Sequence, residues 1–311
     1  MEQQLDYAAV RAAAGRIAGA IRPAAVVPAA EGVWYALEYL QHTGSFKARG
    51  ARNFLAAHHR AGTLPEAGVT IASGGNAGLA CAWAARAQGV PATVFLPANA
   101  PRVKVERLRG YGAEVRLVGD RYADALAACE EFAAASGALA SHAYDHPLIA
   151  AGAGTLLDEI RAALPGLDTV VVAVGGGGLF AGIATAAREH GVRVVAAEPE
   201  NSRALNAALE AGRVVDVAVD SVAGDSLGAT RVSADALAAA RCEGVRSVLV
   251  PDQAITAARR ALWEEHRIVV EAGAATALAA LRTAPQPLGE RVAVVLCGAN
   301  TDPGDLTAPG I

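Results

Sequence analysis

No run of lysine or arginine occurs anywhere in this chain, and the formal net charge is -4 with a sequence pI near 6.0. Such a surface gives a phosphate backbone nothing to condense on, which excludes nucleic acid as the expected partner. Cysteine is scarce. Cys81, Cys129, Cys242 and Cys297 lie far apart, with no CxxC pair and no histidine at ligand spacing. A disulfide scaffold and a structural zinc are thereby excluded, and reduced thiols in a cytoplasmic protein are expected. The N-terminal segment carries acidic residues early and lacks the basic start and apolar run of an export signal. One of the two longest uncharged stretches, Thr169 to Ala187, holds four glycines at its centre. Glycines there weaken a helix in lipid, so a strand, a loop and a helix are expected instead of a membrane span.

What the chain has in quantity is apolar side chain: 53% of its 311 residues are hydrophobic and 19% charged, enough for one large domain or two that share a site. Short β-rich runs alternate with helical stretches. VTIAS, NAGLACAWAARAQG, ATVFLP, PRVKVERLRGYG, AEVRLVG and RYADALAACEEFAAASG form one such series. A second runs from a helix around Gly152 to Leu164 through TVVVAV, LFAGIATAAREHG, VRVVAAEP, VRSVLVP, a helix Asp252 to His266, and VAVVLCG. This rhythm marks βαβ units, and the all-apolar strands VVVAV and VAVVL are expected to be covered by helices on both faces. The fold class is α/β, with two lobes around mostly parallel sheets. The stretch Ser141 to Ala151 breaks the rhythm, so the chain is expected to cross between lobes there. The expected large domain is 1–42 with 144–311, and the small domain 43–143.

Only two of the 27 basic residues are lysines, Lys47 and Lys104. Lys104 sits among charges on one helical face and reads as a solvated side chain. Lys47 lies in TGSFKARGA, where small residues admit a ligand and Phe46 can desolvate the amine, lowering its pKa and favouring Schiff-base chemistry. Gly175-Gly176-Gly177-Gly178 follows an apolar strand and precedes a helix at Leu179, the arrangement of a phosphate cradle. Ser73-Gly74-Gly75-Asn76-Ala77-Gly78 is a second nest at a helix start, suited to a carboxylate or phenolic oxygen. Cys297 falls at the C-terminal end of VAVVL, where open α/β sheets bind ligands. His142 and His146 have i,i+4 spacing, but Pro147 disfavours a helix there, and His58-His59 read as a solvated face.

In this order the motifs resemble those of the pyridoxal-phosphate enzymes of fold type II, a tryptophan synthase β-like architecture, and within them the serine dehydratase branch of the serine/threonine dehydratases. The resemblance spans His42 to Asn300. It implies that Lys47 forms the Schiff base with Phe46 beneath the ring. It places Asn76 on the cofactor's 3-hydroxyl, Gly175 to Leu179 around the phosphate and Cys297 at the pyridine nitrogen. Ser73, Gly74, Asn76 and Ala77 are implied for the substrate carboxylate. Glu198 and Ser202 align with cation ligands, although Ala204 stands where relatives have a second carboxylate. Racemase relatives carry a serine where this chain has Gly74, and Ala77 replaces the histidine of many threonine deaminases.

The implied activity is loss of water from L-serine or L-threonine, giving ammonia and a 2-oxo acid, in a homodimer whose partner molecule is a small amino acid. Within the family, a hydroxyaspartate or phenylserine dehydratase, a racemase and a β-replacement synthase stay open, as does a monovalent cation. Outside it, Gly176 to Ala181 fits GxGxxA, with Glu198 placed 22 residues on as a ribose-binding acid, so a dinucleotide oxidoreductase is a rival. A non-catalytic amino-acid binder is another.

Overall fold

Two sheets form, each drawing on a different part of the chain. The computed structural model describes residues 5–285 and 288–307. The larger sheet holds β1 (Val26–Ala30), β2 (Val33–Ala36), β7 (Thr169–Ala173), β8 (Arg193–Pro199), β9 (Val245–Val250) and β10 (Val292–Val295), in the order β1-β2-β10-β7-β8-β9. All its pairings are parallel except β1 with β2, an antiparallel edge that the sequence reading did not foresee. The smaller sheet is parallel throughout: β3 (Val69–Ala72), β4 (Ala92–Leu96), β5 (Glu114–Leu117) and β6 (Leu139–Ala140), in the order β5-β4-β3-β6.

Helices cover both sheets. They are α1 (Tyr7–Ile17), α2 (Lys47–Arg60), α3 (Asn76–Arg86), α4 (Arg102–Gly110), α5 (Tyr122–Ser136), α6 (Pro147–Ala163), α7 (Gly178–Glu189), α8 (Ala204–Ala211), α9 (Gly224–Leu227), α10 (Ala234–Ala240), α11 (Asp252–His266) and α12 (Ala272–Thr283). Strands β7 and β10 are buried at every position, which is why, after Thr169, they read as valine and alanine alone. Among the described residues no helix is long and apolar enough to cross a membrane.

One helix boundary and one whole helix differ from expectation for local reasons. Helix α6 begins at Pro147, earlier than Gly152, because proline suits the first helical position and His146 Nδ1 accepts the Leu148 N–H at 3.1 Å. Helix α12 was not anticipated: Gly273 through Ala280 are all buried, so the segment has no polar stripe to betray its period.

Helix α2 is fixed from below by Arg49, which is fully buried. Its guanidinium donates to Glu38 at 2.5 Å, to the two Glu159 oxygens at 2.6 and 2.8 Å, and to Thr155 at 3.2 Å. A buried cation held by two carboxylates leaves the helix little freedom to slide or rotate. That helix begins at Lys47.

Candidate active site

The segments singled out in the sequence meet between the two sheets. Phe46 N donates to the Cys297 carbonyl at 3.0 Å, Ala299 N to the Gly44 carbonyl at 3.0 Å, and Ser45 bridges Gly298. The lysine segment is thus laid against the end of β10. Lys47 Nζ donates to the Ala143 carbonyl at 2.6 Å and lies 4.8 Å from the Phe46 ring centre. Burial pushes the Lys47 amine down to about 8, opposed by the nearby Cys297 and Glu271. The neighbouring residue Tyr144 lies over the glycine loop, so a Cβ on Gly176 would overlap its ring.

The glycine loop has the shape of an anion cradle. Gly177 is the N-cap of α7 at φ +93°, and no side chain caps the helix. A Cβ there would also run into Ala236. The start of α3 likewise has no side-chain cap, with Gly75 as N-cap and the Ser73 carbonyl folded onto Gly78 so closely that no Cβ fits. Two uncapped helix starts leave backbone N–H groups for anions. Ser73, Gly74 and Asn76 are half-buried and Ala77 is buried. Leu179 is buried in the first turn of α7.

Cys297 is buried, and burial pushes its thiol up to about 12, so it stays neutral. Thr43 Oγ1 and Ser45 Oγ are buried without a hydrogen-bond partner, and Thr43 is held at φ +64°. Orphaned polar atoms and a strained β-branched residue beside Lys47 are features of a site shaped for a ligand. A buried amine of lowered pKa, an uncapped glycine cradle, a neutral thiol at a strand end and a carboxylate-sized nest together fit pyridoxal phosphate.

Two residues outside the expected set, Glu271 and Asn300, complete the site. Glu271, the N-cap of α12, turns its side chain away from the helix, and Ser226 Oγ accepts the Gly273 N–H in its place at 3.2 Å. Glu271 accepts from Asn76 Nδ2 at 2.9 and 3.0 Å and from Asn300 N at 2.9 Å. Burial raises its pKa, against the lowering effect of these donors and of Lys47. Asn300 Nδ2 reaches the Asn76 Oδ1 and the Thr43 carbonyl. A signal for Glu271 was present, since it is the one charge between Arg267 and Arg282.

Other expected residues go elsewhere. Glu198 is fully buried and accepts the Leu205 and Asn206 N–H groups at 2.7 and 2.8 Å, and burial pushes its carboxyl up to about 7. Ser202 Oγ donates to the Leu227 carbonyl at 2.8 Å. Among the described residues no group of three or more metal-ligating side chains converges. Lys104 lies at the surface as expected, with its exposed Nζ 3.8 Å from the exposed Asp225. His142 and His146 each accept backbone N–H groups through Nδ1 and hold the turn into α6. His58 is half-buried against Phe54, while His59 is exposed. All four cysteines are free.

This constellation defines an enzyme that uses a bound aldehyde cofactor. The chain belongs to the pyridoxal-phosphate dependent enzyme family, whose sequence profile matches residues 17–298. It is 37% identical over 274 residues to an L-threonine ammonia-lyase of Geobacter sulfurreducens, covering 87% of this chain and 67% of that protein. It is also 37% identical over 285 residues to a serine dehydratase-like protein of Rattus norvegicus, covering 86% and 85%. The structure of maize serine racemase superposes with a TM-score of 0.88 at 27% identity, covering 98% of this chain and 96% of that one. The dinucleotide reading falls with this, and for a visible reason: both oxygens of Glu198 are turned to the start of α8 and none of the residue is exposed to a ribose.

Proposed function

We propose that the enzyme is an ammonia-lyase that eliminates water from L-serine or L-threonine, the released enamine then tautomerising and being hydrolysed by water to ammonia and pyruvate or 2-oxobutyrate. The observation that carries this reading is Lys47, a buried amine brought down to about 8 beside the Cys297 segment and the glycine cradle. When bound, pyridoxal phosphate supplies an aldehyde that condenses with amines and a conjugated ring that takes up negative charge from the substrate's α-carbon.

The residues proposed to hold it are Phe46, Lys47, Asn76, Gly175, Gly176, Gly177, Gly178, Leu179 and Cys297. With its amine near 8, Lys47 holds a neutral fraction at physiological pH that an ordinary lysine lacks, and in that form it would take the α-proton. The backbone of Ser73, Gly74, Asn76 and Ala77, at the uncapped start of α3, binds and orients the carboxylate. Gly74 carries no hydroxyl that could return a proton on the opposite face, and Leu96 Cδ2 lies 2.7 Å from where its Cβ would stand. The neutral Cys297 thiol offers the ring nitrogen a weak hydrogen bond and no charge. Both features favour elimination over racemisation.

An absorbance spectrum of the purified protein, taken before and after L-serine or L-threonine with 2-oxo acid assayed in the same cuvette, tests the reading. A visible cofactor band that shifts while pyruvate or 2-oxobutyrate accumulates is expected. Appearance of the D-isomer without 2-oxo acid would transfer the assignment to a racemase. A homodimer and a cytoplasmic location belong to the same proposal, the second supported by the four free cysteines. Light scattering at working concentration tests the first.

A further inference from the structure

Four side chains form a hydrogen-bonded chain that crosses between the two lobes three times. Arg107 on α4 donates to Asn300 Oδ1 at 2.5 Å, Asn300 Nδ2 donates to Asn76 Oδ1 at 2.5 Å, and Asn76 Nδ2 donates to Glu271. The two ends determine the sense of everything between them. A guanidinium can only donate and an ionised carboxylate can only accept, so neither amide is free to flip. The second hydrogen of Asn300 Nδ2 is spent on the Thr43 carbonyl at 2.7 Å.

Asn76 is different. The two oxygens of one carboxylate subtend a narrow angle at its nitrogen, at 2.9 and 3.0 Å, while the two amide hydrogens diverge trigonally. One hydrogen therefore serves both oxygens, and the other is left to point elsewhere. Glu271 itself is 7% exposed, and among the described residues it has no basic side chain within ion-pairing distance. A buried carboxylate whose hydrogen bonds come only from neutral amides, with Lys47 acting on it from beyond ion-pairing distance, costs stability, which a purely structural position does not explain.

We infer that Glu271 is a positioning residue of the cofactor site: it holds the Asn76 amide in one sense across the cleft, so that the remaining Asn76 N–H is offered to an oxygen of the bound cofactor. This rests on the pyridoxal-phosphate reading above. Nothing in it requires Glu271 to touch cofactor or substrate.

The test compares wild type, Glu271→Ala, Glu271→Gln, Asn76→Ala and the double variant Glu271→Ala with Asn76→Ala. Each is loaded with pyridoxal phosphate and read by cofactor affinity, position of the visible band, and kcat and KM separately. Glu271→Ala is expected to weaken cofactor affinity by roughly tenfold and to shift the band, as loss of a charge-assisted hydrogen bond does. Glu271→Gln, whose carbonyl still accepts from Asn76, recovers most of the loss. In the Asn76→Ala background, Glu271→Ala adds nothing.

Additive losses in the double variant, or an unchanged band and affinity in Glu271→Ala, would overturn the inference while leaving the cofactor reading intact. A wild-type protein without the band overturns both. The isosteric Glu271→Gln keeps the comparison available if the alanine variant does not fold.

Discussion

Lys47 Nζ and the Ala143 carbonyl oxygen are 2.6 Å apart, although 96 positions separate the two residues in the chain. This contact joins the start of α2 to the segment leading from β6 into α6, and it holds the amine in a buried place between the lobes. A carbonyl accepts from the ammonium but cannot neutralise it, so burial dominates and the amine stays at about 8.

That value has a consequence for stability. The unfolded lysine titrates near its ordinary 10.5 and the folded one near 8, so between these values the unfolded chain binds more protons and stability rises with pH. Below 8 the folded protein carries the full cost of a buried charge. In cofactor-stripped protein, Lys47→Met is therefore expected to raise Tm at pH 7, by an amount equivalent to about 3 kcal/mol, with the gain shrinking towards pH 10.5. Thermal melts across that range check it, and the same variant should have no turnover and no visible cofactor band.

Gly74 and Leu96 form a second pair with a testable consequence. Leu96 Cδ2 stands 2.7 Å from the Cβ that any side chain at 74 would bring. Gly74→Ser alone is expected to destabilise by about 1–3 kcal/mol through overpacking and to produce little D-isomer. Combined with Leu96→Val the serine has room, and α-proton return on the second face should rise. Chiral chromatography of product from L-serine measures this, and equal D-isomer from both variants would remove Leu96 from the account.

The cradle depends on Gly176 because of Tyr144. Gly176→Ala forces a methyl into the Tyr144 ring, which is backed by a bond from its hydroxyl to the Arg231 carbonyl at 3.2 Å. Loss of cofactor retention is expected, by roughly tenfold or more, from about 1–3 kcal/mol of overpacking. Tyr144→Ala should restore part of that loss in the double variant, since the two positions share one volume. Dialysis followed by cofactor quantification reads the result.

Glu198 gives a prediction about cations. With both oxygens accepting backbone N–H groups of α8, Glu198→Ala should destabilise by about 1–3 kcal/mol by leaving those donors unpaired. Removing divalent and monovalent cations should leave Tm unchanged. A melting temperature that climbs with added potassium or magnesium, and does so only when Glu198 is present, would restore the cation role that the sequence resemblance implied.

How much of this was legible beforehand follows from the length scale of each signal. The valine runs of β7 and β10, the glycine loop before α7 and the nest before α3 are local patterns, because each answers to backbone geometry within a few residues. Lys47 stood out because lysine is nearly absent, and Cys297 because it ends an all-apolar strand. The two α/β series needed nothing beyond periodicity.

What only the tertiary structure decided is what those local features touch. Glu271, Asn300 and Ala143 bear on the site through partners 29 to 257 positions away, and no period or motif encodes such a distance. Glu198 shows the converse: at the end of an apolar strand its sequence position suits a ribose, a cation or a helix start equally, and the fold chose the start of α8. Sequence determined the elements and the chemistry available to them, since propensity and burial pattern act locally. The fold decided which donors face which acceptors, since a hydrogen bond depends on angstroms of separation that only packing of the two lobes supplies.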